Sequence, residues 1–365
     1  MLKQNALIDL RSLAMHFEMT TSASGGTSNF AVPSKNIESI IDKISVEING
    51  SSLQSANNLN QVYNLLLPIS GGTDLKNKRS VYANGGDVSS PTANLTNEHF
   101  CIQNWLGFLG SVKPDVIDTS LLGNVRLTIQ LANGNVLVKA TSDGPTSATY
   151  QLDDVYFTVD VLDISDGQFY NLHEQYLKAG GQYLLPFDSY YTSLFSTSTM
   201  NQASRFSLST NSLDWIAGAF IPAYNTLSAV NTNSGRSACF DTTLTGLTSY
   251  KFTVNNIQFP QYSAGLHDAW PLMLNCFNLS QDTLSGVDPK ITKATWASSF
   301  GFCAQGFNLD TEPTERTVSG LNSLGTNMSI SWESTGPTSV NYAFIVAKCS
   351  SILKVGAGRS IELIQ

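Results

Sequence analysis

Charged residues are scarce in this sequence. Only 13% of its 365 residues are Asp, Glu, Lys or Arg, about half of the ~25% typical of soluble domains. Acidic residues outnumber basic ones by 28 to 20, for a formal net charge of −8, and no cluster of Lys and Arg occurs. Because a protein needs such a cluster to displace counterions from a phosphate backbone, direct or sequence-specific nucleic-acid binding is not expected.

Histidine and catalytic motifs are scarce as well. The four histidines are widely separated: His16, His99, His173 and His267. No H-E-x-x-H, C-x-x-C, G-x-S-x-G, P-loop or G-x-G-x-x-G pattern is present, so no catalytic, metal-binding or cofactor-binding residue and no cofactor is predicted. His267-Asp268 is interpreted as the start of a helix. Cys303, between phenylalanines, is interpreted as an inert buried thiol.

Long apolar runs and a disulfide pattern are missing too. No run reaches the ~18 apolar residues of a membrane span, and polar residues interrupt the first 19 positions, so no signal peptide is predicted. The cysteines are odd in number and lie in apolar surroundings: Cys101, Cys239, Cys276, Cys303 and Cys349. They are predicted to be free, buried thiols of a reducing compartment.

Alternation of apolar and polar residues dominates the rest of the chain. A period of two is typical of β-strands, and it occurs at 44–48, 125–132, 135–140, 154–162, 204–209, 250–256, 328–332 and 342–348. The dipeptide Asn133-Gly134 favours a type I′ turn and so predicts a hairpin over 125–140. The protein is therefore predicted to be mainly β.

The two halves of the sequence share one order of features. A strand precedes a helical pattern at 59–67 and again at 266–274, at a constant offset of 207 residues, with the spacing of one helical face. Between the halves, 166–180 predicts a helix that packs across two sandwiches through a stripe containing Leu172 and Tyr176. The predicted fold is all-β, two tandem eight-stranded jelly-roll β-sandwiches joined by a short helical linker.

The succession of 59–67, 104–133 and 150–164 resembles the double jelly-roll major capsid proteins of double-stranded DNA viruses, most of all those of polinton-like viruses, adintoviruses and virophages. In that family a short helix follows an early strand, a glycine-rich segment and a leucine-plus-glycine turn precede a long strand, and an acidic strand closes the first roll. The resemblance covers nearly the whole chain. The chain is short for the family, which implies low towers, with 71–98 and 222–246 as the tower segments.

The resemblance implies a structural virion protein without enzymatic activity. Its homotrimers would form pseudo-hexagonal capsomers of an icosahedral shell around a double-stranded DNA genome. The implied partners are further copies of the chain, penton proteins and minor capsid proteins, and an internal membrane is left open. The implied location is the virion, after synthesis in the host cytoplasm.

The predicted division of the chain is an N-terminal arm (1–16), a first jelly roll (17–165), a linker with a helix (166–185) and a second jelly roll (186–365). The arm has a short amphipathic stripe at Leu2, Ala6, Leu10 and Leu13. It is predicted to tie capsomers together or to touch an inner membrane, a frayed terminus being the other interpretation.

Two other functions fit a jelly-roll scaffold. A carbohydrate- or receptor-binding protein would present a platform of exposed rings, and the chain offers aromatic residues at 187–191, Trp215, Trp270, Trp296 and Trp332. Packing in cores or at subunit contacts is the alternative interpretation of these rings. A glycan-degrading enzyme would need two carboxylates facing each other across a groove.

The segment 150–163 is the strongest source of such carboxylates, with four aspartates: Asp153, Asp154, Asp160 and Asp163. In a strand, Val155, Phe157, Val159 and Val161 would point into the sandwich. Only Asp154 and Asp160 would then share the outer face, about 20 Å apart. The aspartates are therefore interpreted as the polar side and ends of the strand that closes the first roll.

Overall fold

The computed structural model describes residues 6–33, 37–70, 91–139, 145–162, 167–222, 241–277, 293, 296–297, 301–307, 320–325, 327–335 and 340–365. Most of the two predicted tower segments lies outside these residues, as do Asp163 and Cys239. No helix among the described residues is both long enough and apolar enough to span a membrane.

The first half of the chain is built mainly from strands. Its strands are β1 (Leu7–Ser24), β2 (Ala31–Pro33), β3 (Ile41–Ile48), β4 (Ser51–Ala56), β5 (Glu98–Ile102), β6 (Val116–Asp118), β7 (Val125–Leu131), β8 (Leu137–Lys139) and β9 (Ser147–Leu162). Its helices are α1 (Leu59–Ser70), α2 (Phe108–Ser111) and α3 (Thr119–Leu122), with 3-10 turns at Ile37–Ile40 and Gly134–Val136.

The linker helix α4 (Gly167–Lys178) leads into the second half. The strands there are β10 (Tyr183–Ser196), β11 (Gln202–Ser207), β12 (Leu213–Pro222), β13 (Leu247–Val254), β14 (Ile257–Ala264), β15 (Phe302–Gly306), β16 (Asn327–Ser334), β17 (Val340–Val355) and β18 (Ile361–Ile364). Helix α5 (Leu266–Cys276) follows β14, and a 3-10 turn lies at Ala357–Arg359.

The second half forms a complete two-sheet sandwich. One sheet has the order β10-β17-β12-β15, with β18 added beside β17, and the other has the order β11-β16-β13-β14. Buried and more exposed residues alternate along β13 and β16. Tyr250, Phe252 and Trp332 are among the buried residues, so one face of this sheet packs into the core. Eight strands, β10 to β17, in two sheets are the arrangement of a jelly roll.

The first half repeats most of this arrangement. β1 pairs with β9 on one side and with β5 and β6 on the other, and a second sheet has the order β4-β3-β7. By pairing and by chain order, β1, β3, β4, β5, β7 and β9 correspond to β12, β13, β14, β15, β16 and β17. Helix α1 corresponds to α5, because each follows the hairpin of its half. The predicted internal repeat and the double jelly roll are therefore confirmed.

The two rolls share a continuous apolar core. Phe108 of α2 contacts Phe187 of β10 edge to face, with ring centroids 5.1 Å apart. The backbone amide of Asp188 donates a hydrogen bond to Ser111 Oγ over 2.8 Å. Strand β10 therefore belongs to the second roll and also contacts the first.

The predicted hairpin over 125–140 is wrong. β7 pairs with β3, and β8 pairs with β2 instead of β7. Asn133 has an extended backbone (φ −76°), and its side chain accepts a hydrogen bond from the amide of Asn135, which starts a 3-10 turn. The local turn preference is overridden because β7 finds its partner elsewhere in the fold.

The N-terminal arm (1–16) stays a prediction as a division of the chain, and its residues from Leu7 onward lie in β1. β1 begins at Leu7, and its first residues pair with both β6 and β9. Leu10 is buried and Leu13 packs against the core. The spacing that resembled a helical stripe belongs to an irregular central strand. The boundaries at 165 and 185 stay a prediction.

Candidate assembly surface

The histidines do not come together. His16 stacks on Tyr156 with ring centroids 4.9 Å apart, and His99 Nε2 lies 2.9 Å from Glu18 Oε1. His267 lies in the first turn of α5. Among the residues that the structure describes, no group of three or more His, Cys, Asp or Glu side chains could hold a metal ion.

The pair His267-Asp268 begins a helix, as predicted. Asp268 Oδ2 accepts a hydrogen bond from the backbone amide of Gly265 over 2.9 Å. This carboxylate therefore satisfies an otherwise unpaired amide at the N-terminus of α5 and lies at the positive end of the helix dipole.

The aspartates of β9 face carboxylates of β1 that sequence reasoning had missed. Asp160 is opposite Asp9, and Asp153 is opposite Glu18. Arg11 Nη2 contacts Asp9 Oδ2 over 2.6 Å, and these hydrogen bonds lower the pKa of Asp9. An acid held in its charged form cannot donate the proton that glycoside hydrolysis requires. Only the cross-strand register places these carboxylates opposite each other, and the sequence does not show that register.

The predicted burial of one face of β9 is wrong. Val155, Phe157 and Val161 are 47%, 46% and 41% exposed, and Val159 is only partly buried. A β-bulge at Asp154, where φ is 48°, interrupts the alternation. Among the described strands β9 pairs only with β1, so its other edge has no strand partner in this part of the chain.

The thiols behave as structural groups. Cys303 is fully buried, and its Sγ donates to the carbonyl oxygen of Gly218 over 3.2 Å. Burial raises the pKa of Cys303, and likewise of Cys276 and Cys349, to about 12. Cys101 is partly buried, and all four described cysteines are free. The predicted burial of Cys303 is confirmed, and its inertness stays a prediction that the raised pKa supports, because a protonated thiol is a poor nucleophile.

The aromatic side chains lie mostly in the core. Trp215, Trp296 and Trp332 are buried, and the partly buried Trp270 packs edge-on against Trp296, with ring centroids 5.5 Å apart. Phe187 and Tyr190 are buried as well. These rings cannot form an exposed sugar platform.

A polar cleft lies where the start of α1 meets the turn after β7. Its volume is about 310 Å³, and its lining includes Asn60, Gln61, Gln130, Asn133 and Asn135. No aromatic ring lines it. Since sugar sites stack the pyranose face on such a ring, the cleft gives no support to carbohydrate binding.

A buried charge cluster joins three strands of the second roll. Lys348 Nζ of β17 lies 3.1 Å from Asp188 Oδ2 of β10 and 3.7 Å from Asp214 Oδ2 of β12. Ser350 Oγ donates to both carboxylate oxygens of Asp214, over 3.0 and 2.9 Å. Burial raises the pKa of Asp214, although Lys348 and Ser350 oppose this. One ammonium group thus lies between two carboxylates of neighbouring strands and offsets part of their negative charge, which is a structural role.

The linker helix does not pack across the sandwiches as predicted. None of the residues of α4 is buried, and Leu172 and Tyr176 are 65% and 48% exposed. The helix contacts the start of β10 instead: His173 Nδ1 lies 2.7 Å from the hydroxyl oxygen of Tyr183, and the Tyr176 ring lies 5.1 Å from that of Tyr183. Its apolar stripe is therefore free for a partner.

Exposed apolar side chains are concentrated on a few elements. The large ones among the described residues are Val125, Leu131, Val155, Tyr156, Phe157, Val161, Leu162, Leu172, Tyr176, Leu184, Ile257, Tyr262 and Leu324. Clustered apolar side chains in solvent mark surfaces for association. The candidate functional sites among the described residues are therefore faces of strands and of a helix.

Two tandem antiparallel β-sandwiches with a connecting helix define the class: the chain has the double jelly-roll fold of viral major capsid proteins. No family model and no curated protein matches the sequence. The fold is similar to that of VP54 of PBCV-1, in a crystal structure that was fitted into a cryo-EM reconstruction of the virophage Sputnik. The two chains are 14% identical and superpose with a TM-score of 0.59, and the match covers 100% of this chain and 91% of VP54.

Two further structures have the same TM-score of 0.59. The chain in the quasi-atomic model of the PBCV-1 capsid is 15% identical, and the match covers 100% of this protein and 91% of the capsid chain. The Faustovirus major capsid protein is 10% identical and covers 95% of this chain and 85% of its own. At these identities the likeness concerns the fold alone.

Proposed function

We propose that the protein is a major capsid protein, a structural subunit of the icosahedral shell of a double-stranded DNA virus, without enzymatic activity. The observation that carries the proposal is the double jelly roll itself, which aligns over 95–100% of the chain with capsid proteins at a TM-score of 0.59. The protein would be synthesised in the host cytoplasm and function in the virion.

The duplication supports a trimer as the building block. The two rolls repeat one order of strands and helices, so a threefold assembly of such chains would present six similar sides to its neighbours. These trimers would pack against one another and against penton and minor capsid proteins. The net charge of −8 is consistent with a shell that does not bind DNA directly.

The exposed stripe of α4 is the part of the monomer that we assign to contacts between copies. Leu172 is 65% exposed, and an i,i+4 ion pair between Glu174 and Lys178 (2.8 Å) supports the solvent side of the helix. Burying a leucine side chain contributes about 1.5–3 kcal/mol, and a threefold assembly repeats that contribution in every subunit.

Analytical ultracentrifugation of the purified chain tests the proposal. We expect trimers, and shells at higher concentration by electron microscopy. Leu172→Glu should shift trimers toward monomers, whereas Gln175→Glu, which adds the same charge at another exposed position of α4, should leave trimers intact. A protein that stays monomeric and binds glycans would overturn the capsid proposal in favour of a carbohydrate-binding protein.

A further inference from the structure

The sheet formed by β5, β1 and β9 has an acidic outer face. Glu18 of β1 lies opposite His99 of β5 and opposite Asp153 of β9, and residues directly opposite each other in antiparallel strands share a face. Phe17, the neighbour of Glu18, is buried, so this face points away from the core. Glu18 Oε1 lies 2.9 Å from His99 Nε2, and Asp153 accepts a hydrogen bond from Gln151. In the described part of the chain, no Lys or Arg pairs with either carboxylate.

An exposed aromatic ring lies beside these carboxylates. Tyr156 of β9 is opposite His16, which shares a face of β1 with Glu18. The rings of His16 and Tyr156 stack with centroids 4.9 Å apart, and Tyr156 is 52% exposed. A ring next to negative charge favours a guanidinium or ammonium group, which is attracted both to the π-face and to the carboxylates. We call the face with Glu18, Asp153 and Tyr156 the acidic face.

The sheet formed by β11, β16 and β13 has a basic outer face. Arg205 of β11 lies opposite Ser329, and Lys251 of β13 lies opposite Ser331. The residues on either side of Lys251 are buried, so this face also points away from the core. Among the residues that the structure describes, no carboxylate pairs with either cation, and Glu333, diagonal to Lys251, accepts a hydrogen bond from a serine hydroxyl. We call the face with Arg205 and Lys251 the basic face.

A third sheet face carries charges that are matched within the chain. On the outer face of β4, β3 and β7, Arg126 lies directly opposite Glu47. Burial raises the pKa of Asp42, and the charge of the neighbouring Lys43 opposes this rise. Each of these two cations therefore has an acid beside it, unlike Arg205 and Lys251 of the basic face.

The acidic and basic faces both lie outside the contact between the two rolls of one chain. That contact is made by Phe108 and Ser111 of the first roll and by Phe187 and Asp188 of β10. A closed ring of identical copies with a threefold axis joins two different surfaces at each contact. An acidic face against a second acidic face would be repelled, whereas an acidic face against a basic face is attracted.

We propose that the acidic face of one copy binds the basic face of the next copy in the trimer. Arg205 and Lys251 of one chain would lie against Glu18, Asp153 and the ring of Tyr156 of its neighbour. The first roll of each chain would thus contact the second roll of the next. This inference rests on the proposed function, because it names the two faces through which trimerising copies meet. Charge complementarity of this kind selects the partner surface and its register more than it adds affinity, so it acts together with the apolar stripe of α4.

Single charge reversals test the two faces separately. In analytical ultracentrifugation at about 0.1 M salt, Asp153→Lys and Lys251→Glu should each raise the concentration at which half of the protein is trimeric by about 5- to 10-fold, since each brings like charges together. The matched controls are Glu47→Lys and Lys43→Glu, which make the same changes at half-buried positions of the third sheet face and should stay within about 2-fold of the unchanged chain. Equal effects at the test and control positions would overturn the proposal.

The two reversals combined in one chain separate a lost contact from a damaged fold. Asp153→Lys together with Lys251→Glu exchanges the signs of the two faces, so they attract each other again, and trimers should form within about 2-fold of the unchanged chain. Misfolding caused by either substitution would instead persist in the double variant. In about 0.5 M salt the single variants should approach the unchanged chain, because the charges are screened. A double variant no better than the single ones would overturn the proposal.

Cross-linking of the otherwise unchanged chain identifies the partner surface directly. A photoreactive phenylalanine in place of Tyr156 should cross-link to a second copy, at a peptide from 202–207, 249–253 or 327–333. Mixing isotope-labelled and unlabelled protein shows that the link joins two copies. Trimers that link position 156 to another segment, or to none, would overturn this inference and leave the capsid proposal standing. A chain that stays monomeric would overturn both.

Discussion

The charge cluster of Lys348, Asp214 and Asp188 allows a quantitative prediction. In Lys348→Met, two carboxylates whose side chains are 3% and 13% exposed lose their common cation. Breaking a buried ion pair costs about 3–5 kcal/mol, and we expect the lower end, about 3 kcal/mol, because Lys348 itself keeps 22% of its surface in solvent. With a urea m-value of about 2 kcal/mol per molar, the unfolding midpoint should fall by about 1.5 M.

Tryptophan fluorescence during urea unfolding is the assay, since four of the five tryptophans lie in the second half of the chain. Lys354→Met is the matched control on the same strand, because Lys354 pairs over 2.8 Å with Glu362, whose side chain is 63% exposed. An exposed pair contributes about 0–1 kcal/mol. Equal midpoint shifts in the two variants would refute the argument.

The pH dependence of the same variant provides a second check. The folded protein holds the pKa of Asp214 above its ordinary value of 3.8, so the native state binds the proton more tightly than the unfolded state does. The contribution of Asp214 to stability is therefore present below pH 3.8 and is lost as the pH rises through the folded pKa. Lys348 lowers the pKa of Asp214, so its removal should raise that pKa further. The loss of unfolding free energy in Lys348→Met should therefore be larger at neutral than at acidic pH. Adding Asp214→Asn should recover most of the neutral-pH loss.

Three further predictions concern the core and the first strand. Gly218→Ala should cost about 1–3 kcal/mol in the same urea assay, because its Cβ would lie 2.8 Å from Trp332 Cζ2; an unchanged midpoint would contradict the tight approach of the sheets. Peptide mapping after alkylation of the folded protein at pH 8 should find Cys303 unmodified, since burial raises its pKa to about 12, and Cys101, partly exposed, modified first; the reverse order would show that Cys303 is accessible. Deleting residues 1–16 should unfold the first roll, because β1 is the centre of its sheet, and near-ultraviolet circular dichroism would detect this; an intact first roll would instead restore the interpretation of an arm.

Much of the fold could be read from local patterns. The alternation in β3, β13 and β16, and the helices that follow the hairpins of the two halves, all appear where the sequence predicted them. The period of side-chain direction is a local property of each element. The burial of Cys303 was predictable for the same reason, because the neighbouring Phe302 and Ala304 are apolar and lie on the same strand.

The errors came from pairings between distant residues. Asn133-Gly134 has the local preference for a hairpin, yet β8 pairs with β2, about 100 residues earlier. The apparent stripe at Leu10 and Leu13 lies in a strand because β9, more than 130 residues later, pairs with it. A dipeptide or a spacing cannot report which distant strand will be the neighbour.

The sequence by itself determined the class of fold: two similar β-rich halves with a helix between them, and cysteines in apolar surroundings. Only the tertiary structure decided which strands are central and which lie at an edge. It placed Asp188 and Asp214 beside Lys348, and it left the apolar residues of β9 uncovered. The physical reason is that apolar periodicity depends on neighbours along the chain, whereas burial and charge pairing depend on which sheets meet in space.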